Sequence, residues 1–246
     1  MRLTQWTDYS LRVLMYCAAC EGRTQPPTVS EIAEAHGIWA HFLQADFGNV
    51  EDCERVIAET DRLFGRVDVL VNAGASTARG TIIDTTPETF DELFSTNVRG
   101  PYFLMQEAIK LMIAKGIHGA ICNIGSISAL SGQPFINAYC ASKGALTTLT
   151  ANTAFSVMAN RIRVNQLNVG WMASDHEREI QAEGGDPDWE AKAAAALPFG
   201  RLVDPNEAAR AVNFLVSDDA GLMTGAIVNF DQSIWGAVAA GMPVPD

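Results

Sequence analysis

GAICNIG (119–125), AYCASKGALTTLTANTAFSVM (138–158) and RIRVNQLNVG (161–170) follow one another in the middle of the chain, and their order decides the fold. The first and third are short apolar runs closing on Gly, the pattern of buried strands. The second is far too long for a strand and reads as a helix. Strand, helix, strand with a crossover of this length permits parallel pairing in one sheet.

The same alternation extends in both directions. Upstream, HFLQAD (41–46) reads as a strand. EDCERVIAETDRLFG (51–65) is a helix with Cys53, Val56, Ile57 and Phe64 on one stripe. VDVLVNAG (67–74) is a buried strand, and residues 88–116 are a helix bent near Gly100-Pro101. Downstream, residues 174–200 are polar, Gly-containing and longer than an ordinary connection, which suggests a lid. PNEAARAVNFLVSD (205–218) is a helix with Pro at its start, and AIVNF (226–230) closes as a strand. These elements predict an α/β fold, a doubly wound, parallel Rossmann-like sheet covered on both faces. Ligands of such sheets bind at the carboxyl ends of the strands, where Asp46, Asn72, Gly74, Ser126 and Gly170 fall.

The totals fit. A chain of 246 residues, 48% hydrophobic and 19% charged, can build one full α/β core. No apolar run reaches the ~18 residues of a membrane span, and MRLTQWTDYS lacks the apolar core of a signal peptide. The expectation is a cytoplasmic protein that makes no membrane contact. The five cysteines are scattered, and Cys17–Cys20 gives only two ligands where a structural zinc needs about four, so no metal is expected. A net charge of −12 argues against a broad nucleic-acid surface.

Tyr139 and Lys143 stand four residues apart, on one face of the helix. A phenol's pKa near 10 is too high for a base at neutral pH, and a neighbouring ammonium would lower it. Such a pair can act as an acid/base. Ser126, at the end of the preceding strand, can face Tyr139 across a pocket and hold a carbonyl or alcohol oxygen. Each alone has a bland reading, YxxxK as a chance spacing and Ser126 as a cap; together they are specific.

Residues from about 40 to 237 resemble the short-chain dehydrogenase/reductase family. The likeness rests on VNAG (71–74), STNVRG (95–100), NIGSIS (123–128), YCASK (139–143), RIRVNQLNVG (161–170) and TGAIVNF (224–230). The resemblance implies hydride transfer between NAD or NADP and a small alcohol or ketone. Tyr139 would be the proton donor or acceptor. Lys143 would lower its pKa and hold the nicotinamide ribose, Ser126 would position the reacting oxygen, and Asn97 would hold a relay water. Asp46 would contact the adenine, while Asn72, Ala73 and Gly74 would shape the cofactor cleft beside Gly170, and Ser174 would touch the carboxamide. Trp171, Trp189 and the acidic groups of residues 174–200 fit a polyol or sugar loosely. The helices at 88–116 and 137–158 would form contacts in a homodimer or homotetramer.

The family's opening unit, a strand followed by a TGxxxGxG turn, is missing. Residues 1–60 hold only Gly22, Gly37 and Gly48, in no such spacing. Impaired dinucleotide binding is therefore expected. MRLTQWTDYSLRVLMYCAA with TVSEIAEAHGI (28–38) instead resembles the start of a winged-helix repressor of the iron–sulfur or nitric-oxide-sensing type. The chain divides on this reading into a partial helix-turn-helix-like segment, 1–38, and a dehydrogenase-like domain, 39–246, without its first βαβ unit. Segment 1–38 has three Arg, no Lys and four acidic residues, a poor footprint for DNA. Three functions compete: an oxidoreductase, an inactive assembly module, and a DNA-binding regulator. Loss of the first strands should open a gap in the sheet. Either HFLQAD slides over to pair with VDVLVN, the favoured expectation with residues 8–20 helical, or LRVLMYC (11–17) supplies a strand.

Overall fold

The computed structural model describes Gly37 and residues 39–130 and 132–233. The segment 1–36, with the helix expected at 8–20, the candidate strand LRVLMYC and Cys17–Cys20, lies outside the described residues. Among the described residues no helix is long and apolar enough to cross a membrane.

Four strands, β1 (Val69–Asn72), β2 (Ala120–Ser126), β3 (Arg163–Val169) and β4 (Ile227–Phe230), form a sheet in the order β1-β2-β3-β4. All three pairings are parallel. The register sets Asn72 beside Asn123, Asn123 beside Gln166, and Ser126 beside Val169, so the strand ends line up along one edge. The helices are α1 (Val50–Phe64), α2 (Pro87–Phe94), α3 (Gly100–Lys115), α4 (Asn137–Val157), α5 (Asp175–Glu183), α6 (Trp189–Ala195) and α7 (Pro205–Val216).

Side chains alternate across a strand, and here the alternation sorts two cores. Ile121 and Val164 join Cys53, Leu104, Met105, Ala108 and Met112 on the α1–α3–α4 face. Cys122 and Leu167 join Ala208 and Leu215 on the α7 face. The doubly wound reading therefore holds.

Two sequence expectations need correction. Residues 41–46 are not a strand and do not pair with β1. Their polar groups are taken up locally: Arg55 donates to the Gln44 carbonyl at 2.8 Å, and Asp52 Oδ2 accepts from the Asp46 N–H at 2.8 Å. The chain then turns through Asp46–Asn49 to cap α1 with Asn49. Among the described residues the outer edge of β1 is consequently unpaired, and Val69 and Val71 are 40% and 39% exposed. The second correction concerns residues 88–116. The irregularity is a π-helical turn, Ser95–Arg99, just before Gly100-Pro101. Pro101 lacks an amide proton, so it sits without penalty where the helical hydrogen-bond pattern changes from π back to α.

Candidate active site

Helix α4 begins at Asn137, so Tyr139 lies in its first turn and Lys143 one turn further. Lys143 is buried, donates from Nζ to the Ile124 carbonyl at 3.0 Å, and sits 5.7 Å from the Tyr139 ring centroid. Burial lowers its pKa to about 8. Ser126 stands close enough to the Tyr139 phenol to pull its pKa down. Ser126 is buried at the end of β2 and also caps the short turn Ile127–Ala129, its Oγ accepting from the Ser128 N–H at 3.1 Å. The bland reading of this serine, as a cap, is thus realised.

The expected direction of the Tyr139 pKa is reversed. Burial pushes it above the ordinary phenol value, against the opposing pull of Ser126. Lys143 is turned toward the Ile124 carbonyl, and loss of water around the phenol is the largest cause of the rise. At neutral pH the site therefore holds a neutral phenol, able to give a proton to a carbonyl oxygen.

Asn97 is the middle residue of the π turn and is 1% exposed. Its Oδ1 accepts from the Ser76 N–H at 2.8 Å, and its Nδ2 donates to the Ser76 carbonyl and to Ser142 Oγ, each at 3.0 Å. Ser142 in turn donates to the Tyr139 carbonyl at 2.7 Å. Both amide donors of Asn97 are spent on protein, so a water held by its side chain would have to donate to Oδ1. Ser76 and Ser142 are the residues that sequence reasoning passed over. Ser142 stands inside the YCASK stretch, three residues from Tyr139, where one helical turn brings it to the same face.

The residues expected to hold the dinucleotide are more dispersed. Asn72 donates to Asn123 Oδ1 at 2.8 Å, and its own Oδ1 is buried without a partner. Ala73 and Gly74 follow it into solvent, and a Cβ on Gly74 would lie 2.4 Å from the Phe47 ring, which packs against one side of it. A Cβ on Gly170 would lie 1.9 Å from Asp231 Oδ1. Asp46 is exposed and accepts from the Gly48 N–H at 2.8 Å. It lines a cavity of about 470 Å3 together with Glu51, Glu92 and Arg99, a predominantly acidic surround. Ser174 caps α5, accepting from the Glu177 N–H at 3.2 Å. Tyr139, Lys143 and Ser126 fit the reacting end of a nicotinamide dinucleotide. Around Asp46, the residue expected at the adenine, three carboxylates surround one guanidinium, and residues 1–60 hold no Gly-rich turn of the kind that cradles a pyrophosphate. No group of three or more metal-ligating side chains occurs among the described residues.

Comparison with known proteins finds relatives over most of the chain. A family model described as Enoyl-(Acyl carrier protein) reductase matches residues 15–232, beginning inside the segment 1–38. An uncharacterised oxidoreductase of Thermotoga maritima is 34% identical, with 82% of this chain and 79% of the relative covered. Galactitol 2-dehydrogenase of Agrobacterium fabrum is 30% identical, with 82% of each covered. Among solved structures, an NAD+-bound xylitol dehydrogenase superposes with a TM-score of 0.74 at 27% identity, over 83% of this chain and 82% of that one.

Proposed function

Since the chain belongs to the short-chain dehydrogenase/reductase family, we propose that its site interconverts a small alcohol and its ketone, with a polyol or sugar as the substrate class. The observation that carries this reading is the buried Lys143, bonded to the Ile124 carbonyl two residues before Ser126 and 5.7 Å from the Tyr139 ring centroid. NAD or NADP, when bound, supplies or takes the hydride. The chain's own residues handle the oxygen. Ser126 and Tyr139 both reach it by hydrogen bonds, Tyr139 passes the proton, and the Lys143 ammonium stabilises negative charge left on the phenolate. Asn97 holds the π turn against α4 through Ser142, which fixes where Tyr139 stands. The names of the galactitol- and xylitol-dependent relatives support the substrate class. We further propose that dinucleotide binding is weakened, because residues 1–60 hold no Gly-rich turn of the kind that cradles a pyrophosphate.

That same mismatch favours a second reading, a catalytically inactive module that keeps the family's frame for assembly. A DNA-binding role has no supporting observation among the described residues. One experiment separates the first two readings: nicotinamide oxidation and reduction followed by absorbance with a panel of polyols and ketoses, for the wild type and Tyr139→Phe. The oxidoreductase reading expects turnover in the wild type and a loss of about a hundredfold or more in Tyr139→Phe. Turnover retained in Tyr139→Phe would remove the assignment, and none in the wild type would leave the second reading standing.

A further inference from the structure

The α4 face of the sheet is apolar in its first half and amide-lined in its second. Asn72, Asn123, Gln166, Asn168 and Asn229 run across all four strands at the level just below the strand ends. Gln166 is the centre of this row. It is 0% exposed, and each of its polar atoms has a partner. Nε2 donates to Thr147 Oγ1 and to Asn168 Oδ1, each at 2.7 Å, and Oε1 accepts from Thr150 Oγ1 at 2.9 Å. Thr150 Oγ1 also accepts from Asn123 Nδ2 at 2.8 Å, and its one proton is shared between Gln166 and the Leu146 carbonyl. The row ends at Asn229, whose Oδ1 accepts from Asn168 Nδ2 at 3.0 Å.

Two details connect this row to the chemistry. Tyr139, Lys143, Thr147 and Thr150 occupy successive turns on one face of α4, so whatever fixes Thr147 and Thr150 also fixes the rotation and height of Tyr139 and Lys143. On the other side, the strand leaves out a side chain where the amides meet. A Cβ on Gly125 would lie 2.1 Å from Asn168 Oδ1 and 2.3 Å from Gln166 Nε2. Gly125 is the residue before Ser126, and Ile124, whose carbonyl receives Lys143, precedes it. A buried glutamine that satisfies all its hydrogen bonds admits one register of helix on strand. An apolar side chain of like size would permit several.

We propose that Gln166 is a positioning residue of the active site: by hydrogen-bonding Thr147 and Thr150 it locks α4 onto the strands carrying Ser126 and sets the approach of Tyr139 to Ser126. This rests on the reading of Tyr139 and Ser126 as the reacting pair.

The test is a phenolate titration by ultraviolet absorbance, without nucleotide or substrate. Subtracting the curve of Tyr139→Phe in the same background isolates Tyr139 from the other tyrosines. Ser126 favours the phenolate, so loosening its approach raises the titration midpoint. Gln166→Met and Thr147→Val, which remove the donor and the acceptor of one bond, should each raise it by about half a pH unit or more. Thr147→Ser keeps the acceptor and should leave it in place. A midpoint that stays or falls in Thr147→Val, or moves equally in Thr147→Ser, overturns the proposal. The near-isosteric threonine variants decide the matter even if Gln166→Met does not fold. Because no turnover is needed, the two failures are told apart: an inactive enzyme with a moved midpoint defeats the functional reading while the Gln166 lock on Tyr139 is still seen. An active enzyme with an unmoved titration does the reverse.

Discussion

Asn97 and Ser142 are hydrogen-bonded at 3.0 Å although 45 residues separate them, and this contact ties the π turn to the helix carrying Tyr139. Asn97→Ala would also strip both partners from the Ser76 main chain. An unsatisfied buried polar group costs about 1–3 kcal/mol, so the variant should lose about 3 kcal/mol of stability in urea denaturation. Ser142→Ala removes one hydroxyl and should lose less, about 1 kcal/mol. Equal losses would show that Asn97 does not hold Ser76.

Lys143 makes a second prediction, about stability and pH. Its folded pKa, about 8, lies below the ordinary lysine value near 10.4. Between those values the unfolded chain binds the proton more readily, so this group's contribution to stability rises with pH across the window. Below pH 8 the full penalty of a buried ammonium applies, on the order of 3 kcal/mol at about 1.4 kcal/mol per pKa unit. Lys143→Met should therefore be more stable than the wild type near pH 7, with the difference shrinking toward pH 10. Comparing the two proteins cancels the opposing contribution of Cys122, whose thiol burial pushes up to about 12. A difference that does not change with pH would show that Lys143 is not desolvated.

Assembly is the third prediction. The outer faces of α3 and α4 carry apolar side chains that the described residues leave uncovered: Tyr102 46%, Ile113 47%, Phe155 77% and Met158 52% exposed, the last just past the end of α4. We propose that they meet a second copy, as the family resemblance implies. Light scattering at micromolar concentration should give a dimer or tetramer, and Phe155→Asp should shift it toward monomer with the far-ultraviolet circular dichroism unchanged. A wild-type monomer would refute this.

The sequence made the parallel sheet legible because buried strands and amphipathic helices differ in period, and VDVLVN, AICNIGS and RVNQLNV each carry their own pattern. The shared face of Tyr139 and Lys143 was legible for another reason: α4 is local, and a four-residue spacing places both side chains on it, whereas Asn97 came only with the family resemblance. HFLQAD misled because strand character depends on a neighbouring edge, and residues 41–46 spend their polar groups on Arg55 and Asp52 instead. The direction of the Tyr139 pKa was hidden because it depends on burial, which a four-residue spacing does not report. Gln166 looked like one of three amide side chains in the strand, beside Asn165 and Asn168. Its partners lie 16 and 19 residues away on α4, so only packing reveals them.

The last prediction concerns the dinucleotide, and it follows from what surrounds β1. The outer edge of that strand is unpaired among the described residues, and Asn72 Oδ1 faces no donor although it is buried. Nearby, the Phe47 ring packs against one side of the exposed Gly74. Asp46, Glu51 and Glu92 line the adjoining cavity against one cation, Arg99. A pyrophosphate is doubly anionic, and in such sheets it is held by backbone amides at a helix N-terminus following a Gly-rich turn. Residues 1–60, with Gly22, Gly37 and Gly48 as their only glycines, contain no such turn. Lys143 and Tyr139 can still meet the nicotinamide end, so what is lost is the anchoring of the other half. A deficit of tenfold in affinity is about 1.4 kcal/mol, less than a single charge-assisted hydrogen bond often contributes. Isothermal titration with NADH and NADPH should therefore show binding at least about tenfold weaker than an intact family member under the same conditions. Glu92→Gln, which removes one carboxylate from the cavity, should recover part of it. A low-micromolar Kd for either nucleotide in the wild type would mean that the pyrophosphate is anchored after all.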